Sequence, residues 1–223
     1  VTPRLVIAAG CALVFALIFL VVSPAGHPVD LDLAVATWIA SHRSPGGIAL
    51  FRAISFCGAV QVMVPVTVIV AAYVGWRGGR RPVLWLALTA IGAISLYLAV
   101  NVPIARPRPA LGLRLFDDDS PWSFPSGHAA ESIAFWTMTA ILVTADRARQ
   151  ARVAALIAAA LIAGLTGFSR IYVCAHWTTD VTAGFALGAS WLAIVFALRR
   201  RFDLVAEIGV PVEVQVARSP SSK

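Results

Sequence analysis

Long stretches almost free of charge alternate along the chain with short connections that hold most of its charge and proline. Six apolar runs, at 5–22, 59–74, 83–102, 128–143, 153–168 and 180–198, are rich in Ala, Leu, Ile and Val. A helix needs about 20 residues to cross a hydrocarbon core, and these runs are that long or nearly so. Their apolar residues are continuous rather than alternating, which predicts helices and not barrel strands. The expected fold is all-α: one bundle of six transmembrane helices over 1–201, followed by a cytoplasmic tail over 202–223. Between the first two runs, Leu31, Val35 and Trp38 stand at helical spacing, and Ser44, Pro45, Gly46 and Gly47 then break the pattern. Two short helices lying at the membrane interface are predicted over 29–56, in the first outward connection.

Composition strengthens that picture. Hydrophobic residues make up 59% and charged residues 13% of the chain, against about 45–50% and 25% in a soluble domain. Mean hydropathy is +0.83. The first run exceeds the apolar core of a secretory signal, about 7 to 15 residues, and Ala25-Gly26-His27 is a poor cleavage sequence, so a retained helix is expected.

The formal net charge of +7 follows from topology. Arg4 precedes the first run; Arg77, Arg80 and Arg81 follow the second; Arg147, Arg149 and Arg152 follow the fourth; Arg199, Arg200 and Arg201 follow the sixth. In a six-helix weave all of these fall on one side, and cytoplasmic loops carry the arginine excess. Both termini are therefore expected in the cytoplasm, with connections 23–58, 103–127 and 169–179 outside. Membrane lipids are the expected partners and no nucleic acid is. Cys11, Cys57 and Cys174 lack the spacing of a zinc site or a disulfide framework, and Cys174 reads as a buried packing residue.

The outward connections carry the candidate chemistry. Pro103, Pro107 and Pro109 end the third run and set Arg106 and Arg108 near the membrane surface. Ser126 and Gly127 open the fourth, where unpartnered amides and a hydroxyl suit an anion. Arg108 and Arg170 offer bidentate forks for phosphate oxygens. His176 and Asp180 stand at i and i+4, a spacing that lets the carboxylate fix one ring N–H and leave the other nitrogen for attack. His128 is the candidate general acid. No metal or other cofactor is called for. His27 and His42 read as interfacial hydrogen-bonding residues, Glu131 as an acid suited to a helix start, and Asp117 to Asp119 as a solvated loop. Trp38, Trp76, Trp85, Trp122 and Trp177 fit an aromatic belt, and Trp177, beside His176, also suits a wall of the site.

Pro125-Ser126-Gly127-His128 and Ser169-Arg170-x5-His176-x3-Asp180 resemble two signature blocks of the type 2 phosphatidic acid phosphatase superfamily. A further block, K-x6-R-P, is met only in Arg108-Pro109, because Asn101 stands at the lysine position. The sole lysine is Lys223, which leaves Asn101, Arg106 or Arg114 to fill that role. The resemblance implies a lipid phosphatase in which His176, oriented by Asp180, attacks phosphorus and becomes a phosphohistidine. Arg108, Arg170, Ser126, Gly127 and Asn101 would hold the phosphate oxygens, while His128 protonates the leaving group and then activates water. The implied substrate is a lipid phosphate at the extracytoplasmic rim: polyprenyl diphosphate first, then phosphatidic acid or phosphatidylglycerol phosphate. Two alternatives stand beside it: a phosphotransferase using the same intermediate, and, because of Asn101, a non-catalytic lipid-phosphate binder or transporter.

Overall fold

The computed structural model describes residues 3–22, 28–110, 112–115 and 121–208, and for residues 201 and 203–208 the backbone alone. The expectations on His27 and its cleavage sequence, on Asp117 to Asp119 and on residues beyond 208 fall outside the described residues.

Among the described residues eight helices follow one another: α1 (Pro3–Val22), α2 (Asp30–His42), α3 (Pro45–Cys57), α4 (Val60–Gly78), α5 (Arg80–Ile104), α6 (Gly127–Val143), α7 (Arg149–Tyr172) and α8 (Thr178–Ile208). Each apolar run lies in α1 or α4 to α8, apart from an end residue of the second, and the pair expected over 29–56 is α2 and α3. Five helices, α1, α4, α5, α7 and α8, are long and apolar enough to cross a membrane. With 17 residues, α6 is shorter, about 26 Å at 1.5 Å per residue. The last helix continues through Ile208, past the domain boundary expected at 201.

Local chemistry sets the breaks. Pro45 opens α3 behind Ser44, whose hydroxyl caps the amide of Gly47 at 3.1 Å. A single residue, Gly79, joins α4 to α5 at φ 72°, a left-handed conformation that glycine adopts without steric cost.

The helices α1, α4, α5 and α7 turn large apolar side chains outward, among them Leu17, Val68, Ile91 and Leu161, which is what lipid solvates. α6 is the reverse. It packs among α5, α7 and α8, and Ala129, Ala130, Ser132 and Ala134 on it are buried. A Cβ on Gly184 of α8 would strike the carbonyl oxygen of Ser126, and one on Gly188 that of Ala130. These two glycines, four apart, are what lets α8 approach α6 so closely. Met63, Leu86, Phe135, Met138, Leu142 and Val195 fill the core between α4, α5, α6 and α8.

The two ends of the bundle differ in charge and shape. Arg4, Arg77, Arg81, Arg149 and Arg199 gather where α1, α5 and α7 begin and α4 and α8 end. At the opposite end lie α2, α3, the start of α6 and the connections before α6 and α8.

Candidate active site

The turn after α7 positions His176. Cys174 takes a left-handed φ of 54°, and the amides of Ala175 and His176 both fold back onto the Arg170 carbonyl, at 2.9 and 3.2 Å. Burial pushes the Cys174 thiol above its ordinary range. The residue packs with Ala36, Ile39 and Trp177, as its sequence reading anticipates.

His176 is buried, with Nδ1 2.7 Å from the Ser123 carbonyl oxygen and Nε2 3.1 Å from Nη1 of Arg108. A carbonyl only accepts and a guanidinium only donates. The proton is therefore on Nδ1, and the lone pair of Nε2 faces Arg108. The Asp180 carboxylate is 3.7 Å from Nδ1, an ion-pair contact longer than a hydrogen bond, so the Ser123 carbonyl takes the ring N–H while Asp180 lies beside it. The reason is where α8 starts. His176 precedes the helix, while Asp180 occupies its first turn and accepts the Trp177 amide at 2.9 Å, one half of a capping box.

Behind this turn lies a buried ion network. Arg106 pairs with Asp180 and, at 2.7 Å, with Asp32 of α2, and donates to the Thr179 hydroxyl at 2.9 Å. Asp32 also accepts the Thr179 amide at 2.9 Å and its hydroxyl at 2.7 Å. The Trp177 ring lies 5.8 Å from the Arg106 guanidinium, and its indole N–H donates to the Pro107 carbonyl at 2.9 Å. Arg106 is 1% exposed. It is thus committed to two carboxylates and does not stand in for the missing lysine. Asn101, also buried, directs its amide nitrogen to the Phe124 carbonyl at 3.0 Å, with the Trp122 carbonyl at 3.5 Å. The shorter side chain thereby ties down the segment that presents the Ser123 carbonyl.

The other half of the site is built on α3, α6 and α7. His128, in the first turn of α6, hydrogen-bonds the backbone of Ser55 and lies within electrostatic range of Arg170, His176 and Arg108. Arg170 donates to the Ser55 hydroxyl at 2.7 Å, and Arg108 to the Ala175 carbonyl at 2.8 Å. A side chain on Gly58 would strike the His128 ring, and one on Gly127 would press on Tyr97. The Ser126 amide donates to the Asp180 carbonyl at 3.0 Å, so of that residue's two expected donors only the hydroxyl remains. That hydroxyl is buried with no hydrogen-bond partner among the described residues.

The fold therefore brings His128, His176, Arg108 and Arg170 together around one locus, with Asp180 one layer behind. Asp32, Ser55 and the Ser123 carbonyl complete it and are absent from the sequence reading. One signal existed for Asp32: with Ala36 and Ile39, at i+4 and i+7, it shares a face of α2. An acid there calls for a partner.

A two-histidine, two-arginine locus at the end of a membrane bundle is the arrangement expected from the motifs, and the PAP2 superfamily model matches residues 82–203. The chain belongs to the PAP2 superfamily. It is 29% identical over 196 residues to phosphatidylglycerophosphatase B of Bacillus subtilis, covering 84% of this chain and 92% of that protein. To lipid A 1-phosphatase of Rhizobium johnstonii it is 32% identical over 164 residues, 67% of this chain and 60% of that one. In fold it matches the solved transmembrane PAP2-type phosphatidylglycerolphosphate phosphatase of Bacillus subtilis at a TM-score of 0.79, with 24% identity over 87% of this chain and 96% of that one. The expectations of an all-helical membrane protein and of a PAP2 phosphatase are borne out. The PAP2 match begins within α5, so Asp32 and Ser55 lie before it.

Proposed function

We propose that this PAP2 phosphatase removes a phosphate from a membrane lipid through a phosphohistidine at the extracytoplasmic end of six crossings, both termini being cytoplasmic. The observation that carries the proposal is the His176 ring, protonated at Nδ1 toward Ser123, with the Nε2 lone pair facing Arg108. A nucleophile needs that tautomer. Nε2 attacks phosphorus, the P–N bond forms as the P–O bond to the lipid breaks, and His128 gives its proton to the departing oxygen. His128 then takes a proton from water, which displaces His176 and releases inorganic phosphate. Arg108, Arg170 and the Ser126 hydroxyl meet the charge on the equatorial oxygens, the largest contribution in such transfers.

A lipid substrate is supported by an apolar groove of about 800 Å³ between α2, α3 and α7, walled by Val35, Trp38, Phe51, Phe168 and Tyr172. Phe51 is one helical turn from Ser55, the partner of Arg170, so the groove opens beside the phosphate locus. Phosphatidylglycerol phosphate, the kind of substrate named for the Bacillus subtilis relative, and polyprenyl diphosphate are the first substrates to try, with phosphatidic acid alongside. Phosphate release from these in detergent is the test. His176→Ala should lower the rate by about a thousandfold or more, and release at the wild-type rate would refute the proposed nucleophile.

A further inference from the structure

At the end of the bundle opposite the histidines, two cavities adjoin around one side chain, Arg199 of α8. One, of about 320 Å³, lies between α4, α5, α6 and α8 and includes Arg77, Arg81, Trp85 and Arg199 in its wall. The other, of about 570 Å³, is lined by Arg4, Ile141, Phe196, Arg199 and Arg200. Both volumes lie in the range of ligand pockets, about 300 to 1,000 Å³. They are separate from the candidate active site: Asp180 and Arg199 are nineteen positions apart on α8, about 28 Å at 1.5 Å per residue.

What distinguishes this end is the state of its arginines. Near the histidines, Arg106, Arg108 and Arg170 are engaged by carboxylates, carbonyls or hydroxyls. Here Arg77 is taken up by Asp146 and Tyr73, whereas Arg4, Arg81, Arg199 and Arg200 have no hydrogen-bond or ion-pair partner among the described residues. Arginine excess at a helix end follows from topology alone. Four unpartnered guanidiniums converging from α1, α5 and α8 on two adjoining cavities ask for more. Their surroundings are mixed: Tyr73 and the Arg77-bound Asp146 share the first wall, Ile141, Phe196 and Trp85 add apolar surface, and Leu84, Trp76 and Phe202 are exposed beside them. A ligand here meets positive charge at the helix ends and hydrocarbon along the helices.

We propose that the Arg199 cavities bind the headgroup phosphate of an anionic phospholipid, with its acyl chains lying along the apolar faces of α5 and α8. Basic pockets between membrane helices are suited to such headgroups, and the guanidinium fork matches a phosphodiester. The site is independent of the phosphatase chemistry.

Native mass spectrometry of the full chain in neutral detergent, with equal amounts of phosphatidylglycerol and phosphatidylcholine, tests this. Wild type should retain phosphatidylglycerol, and the Arg81→Gln/Arg199→Gln variant should lose that retention by roughly tenfold or more. Arg80→Gln/Arg149→Gln removes the same charge at the same end from residues outside both cavities and should leave retention unchanged. The cradle variant Arg108→Gln/Arg170→Gln should also retain the lipid, whatever becomes of phosphatase activity. Loss in either of these would overturn the proposal, as would displacement by millimolar inorganic phosphate, which would mark a site for a free anion. Should the Arg81/Arg199 variant not fold, wild type alone decides: equal retention of the two lipids rules the site out.

Discussion

At Ser123 a backbone carbonyl takes the position in which a triad has its orienting carboxylate, and the residues that aim this carbonyl become part of the site. Asn101 is one, through the Phe124 carbonyl. Asn101→Ala leaves that carbonyl unpaired, at about 1–3 kcal/mol, and loosens the segment that holds His176. Steady-state kinetics should show kcat falling with KM little changed, because ring orientation is disturbed and Arg108 and Arg170 are not. Asp32 is another. Asp32→Ala leaves the buried Arg106 cation with one carboxylate in place of two, and breaking such a pair costs about 3–5 kcal/mol. Thermal unfolding in detergent should show that loss, with Asp32→Asn, which keeps an acceptor for Thr179, less affected. Much of this locus was legible because motif histidines and arginines bear their chemistry on their faces. Asp32 and Ser55 were not, since their partners lie 74 and 115 positions away and local spacing carries no record of that approach. Asp180 stands at ion-pair distance from His176, 3.7 Å, and not at hydrogen-bond distance for a related reason: i, i+4 geometry applies fully only inside a helix, and α8 begins two residues after His176.

Between elements, the contact of α6 with α8 brings the two halves of the site together, since α6 carries His128 and α8 carries Asp180. Gly184→Ala and Gly188→Ala each push a methyl group into a carbonyl of the facing helix, and overpacking of this kind costs about 1–3 kcal/mol. Both should lower the unfolding temperature and activity together. Gly164→Ala, on α7 with nothing near its Cβ, should change neither. The helices themselves were legible because a bilayer demands long, uninterrupted apolar runs. Which face turns inward was not. In α2 the apolar residues Leu31 and Trp38 are 60% and 62% exposed, while Asp32, Ala36 and Ile39 face the protein. Where the surroundings are apolar, the greasiest stripe no longer marks the core.

Across the whole molecule, one end is rich in arginine and the other holds His128 and His176, and the topology proposed above rests on the positive-inside rule. In a variant lacking its native cysteines, Ser41→Cys, exposed near the end of α2, should react with a membrane-impermeant maleimide on intact cells. Arg147→Cys, between α6 and α7, should react only after permeabilisation; the reverse pattern would invert the proposed topology. Finally, α1 lies along α8, so helices far apart in the sequence are neighbours. Asp32 is made first, His128 later, His176 two residues before α8, and Asp180 in the first turn of that helix. A nascent chain paused before α8 holds both histidines of the site but only one of the two carboxylates that pair with Arg106. The Arg106 network is thus completed only as α8 is made and packs against α1.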